Sequence, residues 1–211
     1  LISKNKEKKT KEVINFSVNM YPENLILNQL KLDFEKKNFF KNVFDCKNST
    51  DVIAEIFYIT SNVLAEQKNY IASNFYLSLA KYLNPNFVSF DLLTAENFFL
   101  IKEYEKAKKI YNEIKKKGSV YSWYASKQVA SILIKQDKKK DAINSLNKSF
   151  EKIINPTVYE ISDYANFLKT NEKYEQSIKY YSKILSIIDK NDTLYAPTVD
   201  SRGIAYERTN Q

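Results

Sequence analysis

Side chains that could do acid–base chemistry are few in this sequence. Two pairs of carboxylates lie close along the chain, Asp91 with Glu96 and Glu160 with Asp163, and such a pair can serve as general acid and base. Carboxylates at such spacings are more often solvated side chains on helix surfaces. We therefore predict no catalytic role for either pair.

A nucleophilic site is equally poorly supported. Cys46 is the one cysteine, and Lys41 and Lys47 nearby would favour its thiolate. The chain contains no histidine to activate it, so we expect a plain, partly buried cysteine in a loop.

Composition excludes several classes of enzyme. Without histidine there is no Ser-His-Asp triad, no Cys-His pair and no His-ligated metal. One cysteine cannot form an intrachain disulfide or a thiolate cluster. The two glycines, Gly118 and Gly203, are too few for a phosphate-binding loop or a dinucleotide fingerprint. The sequence thus predicts a protein that is not an enzyme and needs no cofactor or metal.

The charge of the chain has two interpretations. The 211 residues carry a net charge of +8, which attracts acidic partners, nucleic acid or anionic lipid. Arg202 and Arg208 are the only arginines, although arginine is the better residue for bidentate phosphate recognition. Abundant Lys, Asn, Ile, Tyr and Phe also fit a genome rich in A/T codons, so the charge is either compositional or functional. No apolar run approaches the roughly 20 residues of a membrane span.

A repeat of 34 or 35 residues runs through the chain. Its second half contains a small residue followed four positions later by a large one: Ser73–Leu77, Ala107–Tyr111, Ala142–Leu146 and Ser177–Tyr181. Twelve positions before each of these small residues lies another, followed three positions later by a large one: Ser61–Leu64, Ala95–Phe98, Ala130–Leu133 and Ala165–Leu168.

This pattern predicts pairs of antiparallel helices. Apolar residues recur at helical spacing in each half, and a small residue on each helix lets two backbones approach while a large neighbour fills the adjoining space. Polar breaks separate the halves, and Pro85 and Pro156 separate consecutive pairs. Ala107 and Ala165 should accordingly be buried where helices cross closely.

The pattern resembles the tetratricopeptide repeat (TPR) family. The small and large positions, the Tyr that opens the second helix, and Ala80 with Pro85 at the end of the first complete repeat match that family. The aromatic residue expected early in each first helix is present as Phe57 but replaced by Asp91, Ser126 and Ile161 elsewhere. Gly118 replaces a proline and is expected to end the helix that precedes it. The resemblance implies an all-α, right-handed superhelical solenoid of antiparallel helix hairpins.

The predicted array covers residues 51–211, with repeats at about 54–87, 88–122, 123–157 and 158–195 and a half repeat at 196–211. In the half repeat Gly203 would be the small residue and Tyr206 the large one. Residues 1–50 should form an upstream degenerate repeat, with helices at 11–20 and 22–37, and a loop. Neither end carries a polar capping repeat, so we expect a segment of a larger protein. The segment RGIAYERTNQ is similar to large multi-repeat alphaproteobacterial proteins of the same family.

The resemblance places ligands on a concave surface lined by the first helices. The side chains that should face it are Tyr58, Asn62, Glu66, Leu92, Glu96, Phe99, Tyr124, Lys127, Ser131, Lys135, Tyr159, Asn166 and Lys169. We expect Lys127, Lys135 and Lys169 to form a cationic cluster there. Some relatives clamp a peptide carboxylate with paired Asn and Lys or Arg, but Glu96 and Ser131 depart from that pattern, so no such clamp is predicted.

One aromatic group has two interpretations. Tyr121, Trp123 and Tyr124 open a first helix, and they either pack between repeats or form an exposed binding hot spot.

The sequence favours a non-enzymatic scaffold that binds a peptide or protein in a groove. One alternative is an RNA-binding, pentatricopeptide-like repeat protein. This is the weaker hypothesis, because the inward positions vary without a code. The other is an assembly or oligomerisation module of a larger cell-envelope protein.

Overall fold

The chain folds as a series of α-helices. The computed structural model describes residues 4–38 and 44–209, and in these ranges the regular secondary structure is helical. The helices are α1 (Lys4–Met20), α2 (Leu25–Glu35), α3 (Ser49–Glu66), α4 (Tyr70–Leu83), α5 (Val88–Leu100), α6 (Tyr104–Ile114), α7 (Ser119–Lys135), α8 (Lys139–Phe150), α9 (Val158–Thr170), α10 (Tyr174–Leu185) and α11 (Tyr195–Arg208). The all-α fold class is confirmed. Among these helices none is both long enough and apolar enough to cross a membrane.

The helices belong to two compact units, residues 1–128 and 129–211, with the boundary inside α7. In the first unit α1 packs on α2, α3 on α4, α4 on α5 and α5 on α6. In the second unit α8 packs on α9, α9 on α10 and α10 on α11. Because short connections make consecutive helices antiparallel, this order confirms the predicted stack of helix hairpins. The superhelical path of the whole array and the repeat boundaries stay predictions.

The predicted close crossings are confirmed by burial. All eight small residues have no exposed surface: Ser61, Ser73, Ala95, Ala107, Ala130, Ala142, Ala165 and Ser177. In the first unit the Ser73 hydroxyl donates to the Ser61 carbonyl at 2.9 Å, and Asn97 Nδ2 donates to Ser73 Oγ at 2.8 Å. These hydrogen bonds join three successive helices, α3, α4 and α5.

Side-chain caps fix several helix starts. Asn48 accepts from Thr50 N at the start of α3, which satisfies an N–H group that has no intrahelical partner. Thr157 and Glu160 form a capping box at the start of α9. Glu160 is therefore a structural carboxylate, and Asp91 is likewise bound by Lys81. Each of the two carboxylate pairs considered in the sequence therefore contains a residue that makes a structural contact.

The turns inside the hairpins share one conformation. Two positions after the last residue of each first helix lies a residue of the left-handed region with φ between 59° and 64°: Lys68, Lys102, Asp137 and Glu172. The next residue donates its N–H to a carbonyl five positions back, as Asn69 does to Leu64 at 2.8 Å. This is the Schellman arrangement, here closed four times without glycine.

Two expectations about single residues are wrong. Gly203 is exposed with open space around it, and Ala205 is the buried small residue of α11. The reason is that α11 begins at Tyr195, so Thr198 and Ala205, two turns apart, face the protein interior. Cys46 is exposed and not partly buried. Residues 39–43, which belong to the predicted loop and include Lys41, and residues 210–211 of the half repeat lie outside the described residues.

Gly118 has a different role from the expected one. Helix α6 ends at Ile114, while Gly118 starts α7 by accepting from Ser122 N at 2.8 Å, and its φ is not positive. A Cβ on Gly118 would overlap the carboxamide of Gln29, which comes from α2. That carboxamide accepts a hydrogen bond from Val120 N at 3.0 Å. Gln29 therefore caps α7 from 91 residues away, and Gly118 leaves the space for it.

Replacing Ala165 with leucine should overpack the crossing of α9 and lower the free energy of unfolding by roughly 1–3 kcal/mol. Urea denaturation measures this change. Ala196→Leu, at an exposed position of α11, is the matched control and should leave stability nearly unchanged. An unaltered stability in Ala165→Leu would contradict the close crossing.

Gln29→Ala and Gly118→Ala should each lower the free energy of unfolding by about 0.5–2 kcal/mol, the usual cost of a lost helix cap. Because both changes remove the same hydrogen bond, their effects should not add in the double variant. Denaturation of the unchanged protein, the two single variants and the double variant tests this prediction. Strict additivity of the changes in free energy of unfolding would show that the two residues act independently.

Candidate partner-binding surface

Four polar residues meet at the surface of the second unit. Lys169 Nζ donates to Ser201 Oγ at 2.9 Å and lies 5.9 Å from the centroid of the Tyr181 ring. The Tyr181 hydroxyl donates to Asn166 Oδ1 at 2.7 Å. We call Asn166, Lys169, Tyr181 and Ser201 the α9–α11 cluster. Its cation is held in place by a hydrogen bond and by an aromatic ring.

Helix α9 positions the predicted residues of this cluster. Its buried side consists of Ile161, Tyr164, Ala165 and Leu168, which fixes the rotation of the helix. Tyr159, Asn166 and Lys169 then face away from that side, and Tyr159 is 62% exposed. At 1.5 Å of rise per residue, this row spans about 15 Å. It presents an aromatic ring, an amide and a cation in that order.

The first unit contains a cluster of different chemistry. The rings of Tyr111 and Tyr124 lie 6.3 Å apart, and the two hydroxyls are hydrogen-bonded to each other, with Gln128 bonded to Tyr124. Burial raises the pKa of both tyrosines, and the negative charge of Glu96 raises each further. We call Glu96, Tyr111, Tyr124 and Gln128 the α5–α7 cluster. Its exposed ionic group is the Glu96 carboxylate.

The predicted residues of α3 are largely occupied within the protein. Tyr58 packs against Phe87 and Phe90, with ring centroids 6.1 and 5.4 Å away. Asn62 donates to the Tyr58 carbonyl of its own helix at 2.8 Å. Glu66 is exposed at the end of the helix. The structure thus gives Tyr58 a packing role.

The remaining predicted residues are distributed over both units. Leu92 is half-buried, and Phe99 lies 5.9 Å from the Tyr104 ring. Ser131 is half-buried and Lys135 is exposed.

Lys127 lies 6.0 Å from the Trp123 ring in the first unit, whereas Lys135 and Lys169 belong to the second. The convergence of the three lysines stays a prediction.

The aromatic group at the start of α7 is mostly internal. Tyr121 and Trp123 are only 6% and 7% exposed. Packing is therefore the role that the structure supports for them. Tyr124, the third member, belongs to the α5–α7 cluster.

Sequence reasoning missed Tyr111 and Tyr181 as site residues. Both were assigned to packing, and both are 1% exposed. Their hydroxyls nevertheless extend to polar residues at the surface, because a buried phenol needs a hydrogen-bond partner. The signal was present in the sequence, since the large position alternates between Leu and Tyr along the repeats.

The structure also contains a lysine-rich cleft that was not predicted. Its volume is about 860 Å³, and it lies in the second unit at the turns before α8 and α10. Four lysines line it together with Asp137, Asp141 and Glu172: Lys138, Lys139, Lys140 and Lys173. Lys139 and Glu172 are paired across it at 2.6 Å. Acidic and basic side chains thus largely balance within the cleft.

Among the residues that the structure describes, no three His, Cys, Asp or Glu side chains lie close enough together to hold a metal ion.

Comparison with known proteins shows similarity at the level of structure but not of sequence. No family model matches the sequence, and no curated protein sequence matches it. Among solved structures the chain is similar to YrrB, described as a TPR protein with an unusual peptide-binding site. The identity is 12% and the TM-score 0.45, over 78% of this chain and 80% of that one.

The chain is a helical-hairpin repeat protein. Its period, its buried small residues and its consecutive hairpins are consistent with the TPR pattern.

The repeat protein should lose stability between pH 10 and 12 through its buried tyrosines. Burial raises the pKa of Tyr181 from 10.0 to about 12. The folded state therefore keeps a proton that the unfolded state releases, so the stabilising contribution is full below pH 10 and is lost as the pH rises through 12. Urea denaturation across this range should show a shallower decline for Tyr181→Phe. An identical decline in both proteins would contradict the shifted pKa.

Proposed function

We propose that this repeat protein is a non-enzymatic scaffold that binds a peptide or protein segment along its first-helix surfaces. The observation that carries the proposal is the row Tyr159, Asn166 and Lys169 on α9. Tyr159 and Asn166 are exposed and Lys169 is half-buried. The opposite side of the same helix is packed in the protein interior. Binding sites that lie on rigid elements are positioned more precisely than sites on loops.

The chemistry of this row suits an extended segment with an acidic and an apolar side chain. Lys169 is already oriented by Ser201 and Tyr181, so little side-chain freedom is lost when it pairs with a carboxylate. Asn166 offers an amide that can donate to a backbone carbonyl. Exposed Tyr159 supplies a ring on which an apolar side chain can pack.

The first unit supports a protein ligand over a nucleic acid. The ionic group of the α5–α7 cluster is the Glu96 carboxylate, which would repel a phosphate backbone. In the second unit the α9–α11 cluster contains the Lys169 cation. Clusters of both charge signs within one chain fit a polypeptide with residues of both signs better than a polyanion.

Selection from a random peptide library on the full 211-residue chain tests the proposal. The selected peptides should share an acidic and an apolar residue. Their Kd should rise at least about tenfold, or roughly 1.4 kcal/mol, in Lys169→Glu, because the cation that orients the ligand becomes a repelling carboxylate. Titration of one selected peptide against both proteins measures the change.

Lys148→Glu is the matched control, because it makes the same charge change at an exposed position of α8 outside the α9–α11 cluster. Its Kd should stay close to that of the unchanged protein. A library that yields no binder, or equal weakening by both substitutions, would contradict the proposed binding surface on α9. Tight binding of single-stranded RNA that both substitutions weaken equally would favour the RNA-binding alternative.

A further inference from the structure

Helix α3 exposes an apolar stripe. Val52, Ile56, Ile59 and Val63 are between 37% and 56% exposed. Their spacing of four, three and four residues is that of a coiled-coil seam. At 100° per residue they lie opposite Ala54 and Ser61, the residues that α3 buries. The stripe is therefore a surface feature, and α3 has no second packed side to account for it.

Helix α1 exposes a second stripe with the same spacing. Val13, Phe16 and Met20 are between 57% and 68% exposed and stand three and four residues apart. Ile14 and Val18 form the buried side of this helix. Contiguous exposed apolar surface of this kind often marks a site of interaction with another protein.

Within the described residues of the first unit, no other helix covers these stripes. Gln29 fastens α2 to the start of α7 through its hydrogen bond to Val120. Burial and, to a smaller extent, the negative charge of Asp33 on α2 raise the pKa of Tyr121 to about 12, which again places α2 beside α7. Helix α1 packs on α2 and stays with it. Both stripes are exposed with the α1–α2 hairpin in this position.

The two helices have opposite charge. Helix α3 contains Asp51, Glu55 and Glu66 and no basic residue. Helix α1 contains five lysines and two glutamates. Opposite charge on two surfaces of equal spacing favours their contact and specifies which helices pair.

The charges also specify a direction. Lys9 extends the α1 stripe by four residues beyond Val13, and Glu66 extends the α3 stripe by three beyond Val63. When the helices run antiparallel, Lys9 meets Glu66 while Phe16 lies opposite Ile59. When they run parallel, Glu66 lies past the end of α1 and has no partner there.

We propose that α1 of a second copy of this chain docks antiparallel on the α3 stripe, so that the protein associates with itself through residues outside the α9–α11 cluster. Each copy offers both stripes, so two copies can exchange α1 contacts around a two-fold axis. One seam of four layers is small for a stable interface, and a reciprocal pair doubles it.

Sedimentation velocity of the full chain over a series of concentrations tests this proposal. The dimer fraction should rise with concentration. Phe16→Glu and Ile59→Glu should each leave a monomer, because each places a charge in the apolar seam; both positions are exposed, so the fold should be kept, which circular dichroism verifies. Ile154→Glu is the matched control, since Ile154 is exposed and lies on neither stripe, and it should dimerise normally.

Charge reversal tests the direction. Lys9→Glu and Glu66→Lys should each weaken dimerisation about three- to tenfold at low salt, and the double variant should recover it. A monomer at every concentration, or dimerisation that survives both Phe16→Glu and Ile59→Glu, overturns the proposal. Failure of the double variant to recover overturns antiparallel docking. None of these substitutions touches the α9–α11 cluster, so peptide binding is measured separately.

Discussion

Close approach of helices at fully buried small side chains is the constraint on which the fold depends. Any larger residue at these positions would push two backbones apart. Serine is accepted where its hydroxyl finds a nearby carbonyl, as Ser73 does on Ser61 and Ser177 does on Tyr174. The hydroxyl would otherwise be buried without a partner, which costs more than the hydrogen bond itself contributes. Each helix crossing therefore accepts a residue that is small and whose hydroxyl, if it has one, is hydrogen-bonded.

The periodic part of the fold was readable from the sequence for this reason. A constraint that recurs every 34 or 35 residues produces a recurring sequence pattern, and the α3–α4, α5–α6 and α9–α10 hairpins follow it. The predicted register of α11 was wrong because Gly203 was taken for the small buried residue, a position that Ala205 occupies. The contact of Gln29 with Val120 produces no local sequence pattern, because it joins residues 91 positions apart.

The candidate surface was predictable in part. Helical periodicity placed Tyr159, Asn166 and Lys169 on one face because a helix with one packed side must turn its other side to solvent. The same reasoning did not predict that Tyr111 and Tyr181 each contribute both to the interior and to the surface. Their rings fill the interior, while their hydroxyls order the residues on the surface. Assigning each residue either to the core or to the surface overlooks a side chain of this kind.

The four left-handed turns that close the hairpins have a mechanical consequence. None contains glycine, so each holds an L-residue in a conformation that costs about 1 kcal/mol. In stacked repeats such a cost stays largely within its own hairpin and its nearest neighbours. The chain therefore has evenly spaced weak points along its length. Under tension it should yield one hairpin at a time, with each opened turn releasing its own strain and leaving its neighbours folded.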